Sequence, residues 1–204
     1  MSGYPGYFGE SVLDFELNEE QKAYIASAKS FSDKELSPRA AQWDTHSIFA
    51  KDALRAAGDL GFMGMYTPEL AGGLGMGRLD ASLIVEELAK GCTTTAAFLT
   101  IHNMATAMIG KYCQPSVVED WCPDLVMGKK LASYCLTEPG AGSDAGSLRT
   151  SARLQGKHYL VNGSKVFISG AGETDVLVAM TRTGDAGPKG VTALLIPADT
   201  EGIQ

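Results

Sequence analysis

Residues 134–144 read YCLTEPGAGSD. An apolar, strand-like start runs into a turn dense in glycine and proline and ends on a hydroxyl and a carboxylate. Gly140 and Gly142 suit close backbone approach and positive backbone angles, which would let amides point at a ligand. Thr137 and Ser143 add hydroxyls, and Tyr134 adds an aromatic face. The same residues also suit a hairpin loop whose hydroxyls serve only its own backbone. A nucleotide grip of the G-x-G-x-x-G kind is excluded. The third glycine, Gly146, comes one residue late, and SLRTSARLQG then alternates like a strand instead of opening a helix towards a phosphate.

Upstream of this loop the apolar spacing is helical. Asn18 precedes Glu19-Glu20-Gln21, a capping-box arrangement, and Tyr24, Ile25, Ala28, Phe31 and Leu36 recur at threes and fours until Pro38 breaks the run. A second helix is expected after Ser47, carrying Leu54, Ala57 and Leu60 towards Gly61. MYTPELAGGLGMGRLD (65–80) reads as a flexible glycine-rich loop with Asp80 capping the next helix. ASLIVEELAK and TTTAAFLTIHNMATAMIGKYC read as two buried helices joined at Gly91-Cys92. A shorter helix starts at Ser116 and is interrupted or ended at Pro123.

Downstream of Lys130 the period changes to that of strands. LASYCLT, TSARLQ, HYLVNG, KVFISG, DVLVAMTRTG and GVTALLIPA are short, often alternating and separated by turn residues, with Asn162-Gly163-Ser164 as a tight-turn signal. The expected fold class is therefore α+β: an all-α N-terminal domain over 1–129, then an antiparallel, barrel-like β domain over 130–204.

Composition narrows the function classes. Seventeen basic against 24 acidic side chains give a formal net charge of -7, unsuited to a nucleic-acid surface. No apolar run approaches the roughly 20 residues of a membrane span. The acidic start, MSGYPGYFGESVLDFELNEEQ, lacks the features of a signal or transit peptide, so the expected location is the cytoplasm, or the mitochondrial matrix if a presequence has been removed. Cysteines 92, 113, 122 and 135 have no C-x-x-C spacing and the histidines lie at 46, 102 and 158, so free thiols are expected and no metal site. His102, among apolar helical residues, reads as structural.

YCLTEPGAGSD followed by NGSKVFISGAG (162–172) resembles the flavin-binding signature of the acyl-CoA dehydrogenases. GCTTTAAFLTIHNM (91–104) and RTGDAGPKGVTALLI (182–196) look most like the family's short branched-chain members, those acting on isobutyryl-CoA in particular. The resemblance runs over most of the chain and implies FAD-dependent α,β-dehydrogenation of an acyl-CoA thioester. It places Tyr134, Leu136, Thr137 and Gly142 at the flavin, with Thr137 at the pyrimidine end, and Ser143 at both the flavin and the pantetheine of the substrate. Phe167, Ile168 and Ser169 would cover one flavin face. Many members carry tryptophan and threonine where this chain has Phe167 and Ser169, but an aromatic face and a hydroxyl are retained.

The family pattern further implies an acyl-CoA substrate, an electron-transfer flavoprotein as acceptor, and a homo-oligomer or a completing chain. It also implies a continuation beyond Gln204 through the rest of the β domain and a C-terminal helical bundle carrying the catalytic glutamate. Glu138, the nearest carboxylate, is expected to fix the loop rather than to act as base, and Asp144 to be a loop-stabilising acceptor. A non-catalytic interaction or flavin-binding protein descended from the family is the alternative. An unpaired edge at GVTALLIPA would make the isolated chain self-associate or dissolve poorly, and a monodisperse monomer by light scattering would overturn that expectation.

Overall fold

A computed structural model describes residues 16–204. The reading of the N-terminal fifteen residues lies outside that range. The helical half begins as its sequence indicates. In α1 (Glu19–Phe31) the Asn18 side chain accepts from the Gln21 amide at 2.8 Å, and the Gln21 side chain accepts from the Asn18 amide at 3.1 Å. The reciprocal pair satisfies two donors that a helix start leaves free.

A π-helical turn, Ser32–Leu36, follows directly, and its end is where Pro38 ends the run. It crosses the end of α4 (Arg78–Gly91) closely, because a Cβ on Gly91 would lie 2.4 Å from Ser32 Oγ. A short helix that the periodicity did not reveal, α2 (Ala40–His46), comes next and closes on Ser47 with φ 53. The expected second helix is α3 (Lys51–Asp59). It buries Leu54 and Ala57, while Leu60 lies beyond its end and is largely exposed.

Three further expectations are corrected. Asp80 does not cap α4. Gly77 holds the cap position, and Asp80 in the first turn accepts instead from Gln21 Nε2 at 2.8 Å, tying α1 to α4. The 72–77 loop is pinned rather than flexible: the amides of Leu74, Gly75 and Met76 bond to the carbonyls of Gly64, Thr67 and Met65. α6 (Pro115–Val126) starts one residue earlier than expected and runs through Pro123. Pro123 is exposed, and so is Glu119, whose carbonyl loses its helical partner, so water can replace the missing bond.

α5 (Thr93–Tyr112) joins the two halves of the core. Its Phe98 and Leu99 pack with Phe31, Leu54, Met63, Ile84 and Leu88 in the helical cluster. Its Ala105 and Ile109 pack with Cys122 and Leu125 of α6, with Ala132 of β1 (Ala132–Cys135), and with Val176 and Val178 of β4 (Val176–Arg182). Burying each such Leu or Ile is worth roughly 1.5–3 kcal/mol, so one shared helix makes the two halves cohere.

The second half is a sheet, and it is mixed rather than wholly antiparallel. β4 pairs antiparallel with β5 (Val191–Pro197) along its whole length. On its other edge it pairs parallel with β1, and then, at Arg182 opposite Ser151, with β2 (Ser151–Gln155). β1 and β2 therefore follow one another along one edge of β4 in the same direction. The intervening residues 136–150 must leave the sheet and return, which is why this loop stands out from it. β2 and β3 (His158–Asn162) form a hairpin through Gly156-Lys157, with Gly156 at φ 62, so the tight turn lies here and not at Asn162-Gly163-Ser164. KVFISG forms no strand but part of an irregular segment between β3 and β4. Among the described residues no helix is long and apolar enough to cross a membrane.

Candidate functional site

The excursion 136–150 is held at both ends by one side chain. Glu138 is buried, and its carboxylate accepts from the amides of Arg149 at 2.6 Å and Thr150 at 2.9 Å. Lys165 Nζ donates to it at 2.8 Å and to the Leu136 carbonyl at 3.0 Å. Burial would raise the Glu138 pKa, but the Lys165 ammonium and the Thr150 and Arg149 donors outweigh it and hold the carboxyl at about 2. Both oxygens are engaged and the group is ionised, so Glu138 fixes the loop, as its sequence position suggests.

Within the loop, Glu138 and Ala141 exchange two backbone hydrogen bonds around Pro139-Gly140. Asp144 accepts from the Ser147 hydroxyl, which agrees with its reading as a loop acceptor. Gly140 and Gly142 do not have positive φ, contrary to the sequence expectation. Their hydrogens face open space instead, since a Cβ built on either meets nothing within 4 Å.

The second segment lies against the first. The Val166 amide donates to the Thr137 carbonyl at 2.9 Å. The Ser133 hydroxyl of β1 donates to the Ser169 carbonyl at 2.7 Å and pairs with Thr174 Oγ1 at 2.9 Å. Gly170, at φ 79, lets this segment settle on α5, where a side chain would meet Phe98 at 2.5 Å. Phe167 adopts φ 57 and is 93% exposed, an unusual conformation for a bulky residue and an unusual exposure for an aromatic one.

The fold therefore sets Leu136 and Thr137 against Lys165 and Val166, next in the chain to Phe167, Ile168 and Ser169, while Gly142 and Ser143 lie exposed farther along the same loop. Tyr134 is half-buried on β1 and packs against the α5–α6–β1–β4 cluster. The hydroxyls of Thr137, Ser143 and Ser169 have no hydrogen-bond partner among the described residues. Free hydroxyls, a bare glycine face and an outward aromatic ring fit a flat, polar-edged heterocycle.

His102 is remote from this chemistry and ties the helices to the sheet. It is fully buried, with Nδ1 accepting from the Ala132 amide at 3.1 Å and Nε2 donating to the Leu125 carbonyl at 3.0 Å. Burial pushes its pKa down to about 4, opposed only in part by the Leu125 carbonyl. The four cysteines are free thiols, and burial raises Cys122 and Cys135 to about 11, which keeps them protonated and unreactive at neutral pH. Among the described residues no cluster of side chains could hold a metal ion.

Sequence reasoning missed Lys165, Ser133 and Arg182. Arg182 gathers the carbonyls of Gly146, Leu148, Asp185 and Gly187. Lys165 stands inside the NGSKVFISGAG motif, but reading that stretch as a strand gave its side chain no particular partner.

Two family models cover most of the chain. The acyl-CoA dehydrogenase N-terminal domain matches residues 18–129, and the acyl-CoA dehydrogenase middle domain matches residues 133–204. The chain belongs to the acyl-CoA dehydrogenase family. It is 47% identical over 187 residues to the mitochondrial isobutyryl-CoA dehydrogenase of Bos taurus, covering 92% of this chain and 45% of that protein. The NADH-dependent acryloyl-CoA reductase of Anaerotignum propionicum is 37% identical, over 94% of this chain and 49% of its own length. Among solved structures, a glutaryl-coenzyme A dehydrogenase bound to glutaryl-CoA superposes with a TM-score of 0.87 at 34% identity, covering 92% of this chain and 49% of that one. PigA with FAD and proline also superposes with a TM-score of 0.87, at 30% identity, covering 93% and 51%. This acyl-CoA dehydrogenase chain thus spans about half the length of the relatives it matches.

Proposed function

We propose that this chain is the flavin- and thioester-holding half of an FAD-dependent acyl-CoA dehydrogenase that acts on a short branched acyl-CoA, isobutyryl-CoA or a 2-methylacyl-CoA. The observation that carries the reading is the abutment of two segments, 136–143 and 165–169, joined by the Val166–Thr137 bond and by Lys165, with the hydroxyls of Thr137, Ser143 and Ser169 unpartnered among the described residues and the faces of Gly140 and Gly142 open. In this reading Thr137 binds the pyrimidine edge of FAD, Leu136 and Tyr134 support the ring, and Gly142 permits close approach. Phe167, Ile168 and Ser169 cover one face, and Ser143 reaches both flavin and pantetheine. FAD held by these residues would supply the acceptor for the hydride of the β carbon. The chain's own part is to orient the thioester against the ring and to exclude water, so that hydrogen bonds to the thioester oxygen act in a medium of low dielectric.

Removing the α proton needs a carboxylate, and Glu138, the nearest in the loop, is not available for it, because it is committed to Lys165 and two amides. In this reading the base is supplied from outside the described residues. An electron-transfer flavoprotein is the acceptor, the working form is a homo-oligomer or a chain completed by a partner, and the location is the mitochondrial matrix or a bacterial cytoplasm. The same lack of a placed base favours a second reading, a flavin-binding or interaction protein with no turnover of its own.

The test is the visible spectrum of the chain after incubation with FAD and desalting, recorded again after anaerobic addition of isobutyryl-CoA. Retained flavin that stays oxidised is the expected result. Bleaching would show that a base within the chain has been overlooked, and loss of flavin on desalting would leave the interaction reading.

A further inference from the structure

We propose that Glu138 and Lys165 form a clamp that makes residues 136–150 and 163–169 a single ordered unit and so sets the spacing of the two walls of the flavin site, a role that rests on the function proposed above. The two side chains are 7% and 11% exposed, yet they lie in loops and not in the core of either half. Around them converge the Leu136 carbonyl, the amides of Arg149 and Thr150, and the 2.8 Å ion pair itself, so three separate stretches of chain meet at one charge pair.

Apart from this pair, one backbone hydrogen bond, Val166 to Thr137, joins the two segments, which also pack closely at Gly163 against Thr150. A single bond of that kind is worth little net, whereas a desolvated carboxylate deprived of its cation is strongly unfavourable. Opening either segment alone would leave Glu138 or Lys165 buried and unpaired, so the two are expected to open together. The polar groups of both side chains are turned on one another, on two amides and on the Leu136 carbonyl, which makes both positioning residues and not catalytic ones. The geometry also accounts for a lysine within a segment whose neighbours are largely apolar.

Hydrogen exchange read by mass spectrometry on the flavin-free chain tests the clamp without assuming that flavin binds. Lys165→Met should speed amide exchange about tenfold or more in both 136–150 and 163–169, with α4 and α5 unchanged, and Lys165→Arg should restore much of the protection. Acceleration confined to one segment, or absent from both, overturns the clamp. Should Lys165→Met fail to fold, Lys165→Gln is read in the same way, since it keeps a donor for the Leu136 carbonyl but carries no charge. A parallel FAD titration should show the Met variant binding about tenfold more weakly, with blurred fine structure in the flavin absorption, and the Arg variant near the parent. Equal affinity and an equal spectrum in the Met variant would overturn the positioning role. If the parent itself binds no FAD, the proposed function fails while the exchange comparison still decides the clamp.

Discussion

His102→Ala is expected to destabilise the chain by about 4 kcal/mol in chemical denaturation, a large share of the roughly 5–15 kcal/mol that holds a typical domain. The imidazole is fully buried between α5, the end of α6 and the start of β1. Its removal strands the Ala132 amide and the Leu125 carbonyl, each costing about 1–3 kcal/mol when unpaired, and leaves a void beside Phe98. The pH dependence follows from the same burial. The folded pKa of about 4 lies below the ordinary 6.5, so the unfolded chain binds the extra proton between those values.

His102 therefore contributes stability that is complete above about pH 6.5 and is lost as pH falls towards 4, to a total of about 3 kcal/mol. Glu138, held at about 2, loses its contribution only below about pH 4.5, so the two windows separate. The other histidines, His46 and His158, are exposed. Unfolding free energies measured from pH 7 to 4 should slope downward in the parent and be much flatter in His102→Gln. An equal slope in both would show that some other group binds the proton.

Gly142→Val is expected to lower FAD affinity about a hundredfold, equivalent to about 3 kcal/mol, with little change in the unfolding midpoint. The two effects separate because of where Gly142 sits. Its φ is ordinary and a Cβ meets nothing within 4 Å, so the folded chain has room for a side chain. That same open face is the one the proposed flavin would approach, and a branched side chain would fill it. Gly156→Val is the useful contrast. Its Cβ is equally unobstructed, but Gly156 has φ 62 in the β2–β3 turn, so stability should fall while flavin binding is spared. Unchanged FAD affinity in Gly142→Val would remove this loop from the cofactor site.

How far the chain could be read in advance depended on the distance between interacting residues. The Asn18–Gln21 box was legible because its partners are three positions apart, and α5 because its buried face repeats over 20 residues. α2 escaped notice because seven residues are too few to display a period. KVFISG alternates like a strand, yet positive φ at Phe167 and Gly170 and the Ser133–Ser169 bond hold it in another shape. The mixed sheet was equally hidden, since alternation shows that a strand has one buried face and says nothing of its neighbour's direction.

The site divides in the same way. By itself the sequence determined the change from helix to sheet near residue 130, the family, and the two motifs proposed to hold the cofactor, all of which reside in periodicity and contiguous motifs. Tertiary structure decided that Glu138 answers to residues 149, 150 and 165, that His102 joins Leu125 to Ala132, and that Thr137 meets Val166. These partners stand eleven to thirty positions apart in the chain. Only the packing of α5 against the sheet, and the return of the 136–150 loop to the edge of β4, brings them within hydrogen-bond distance.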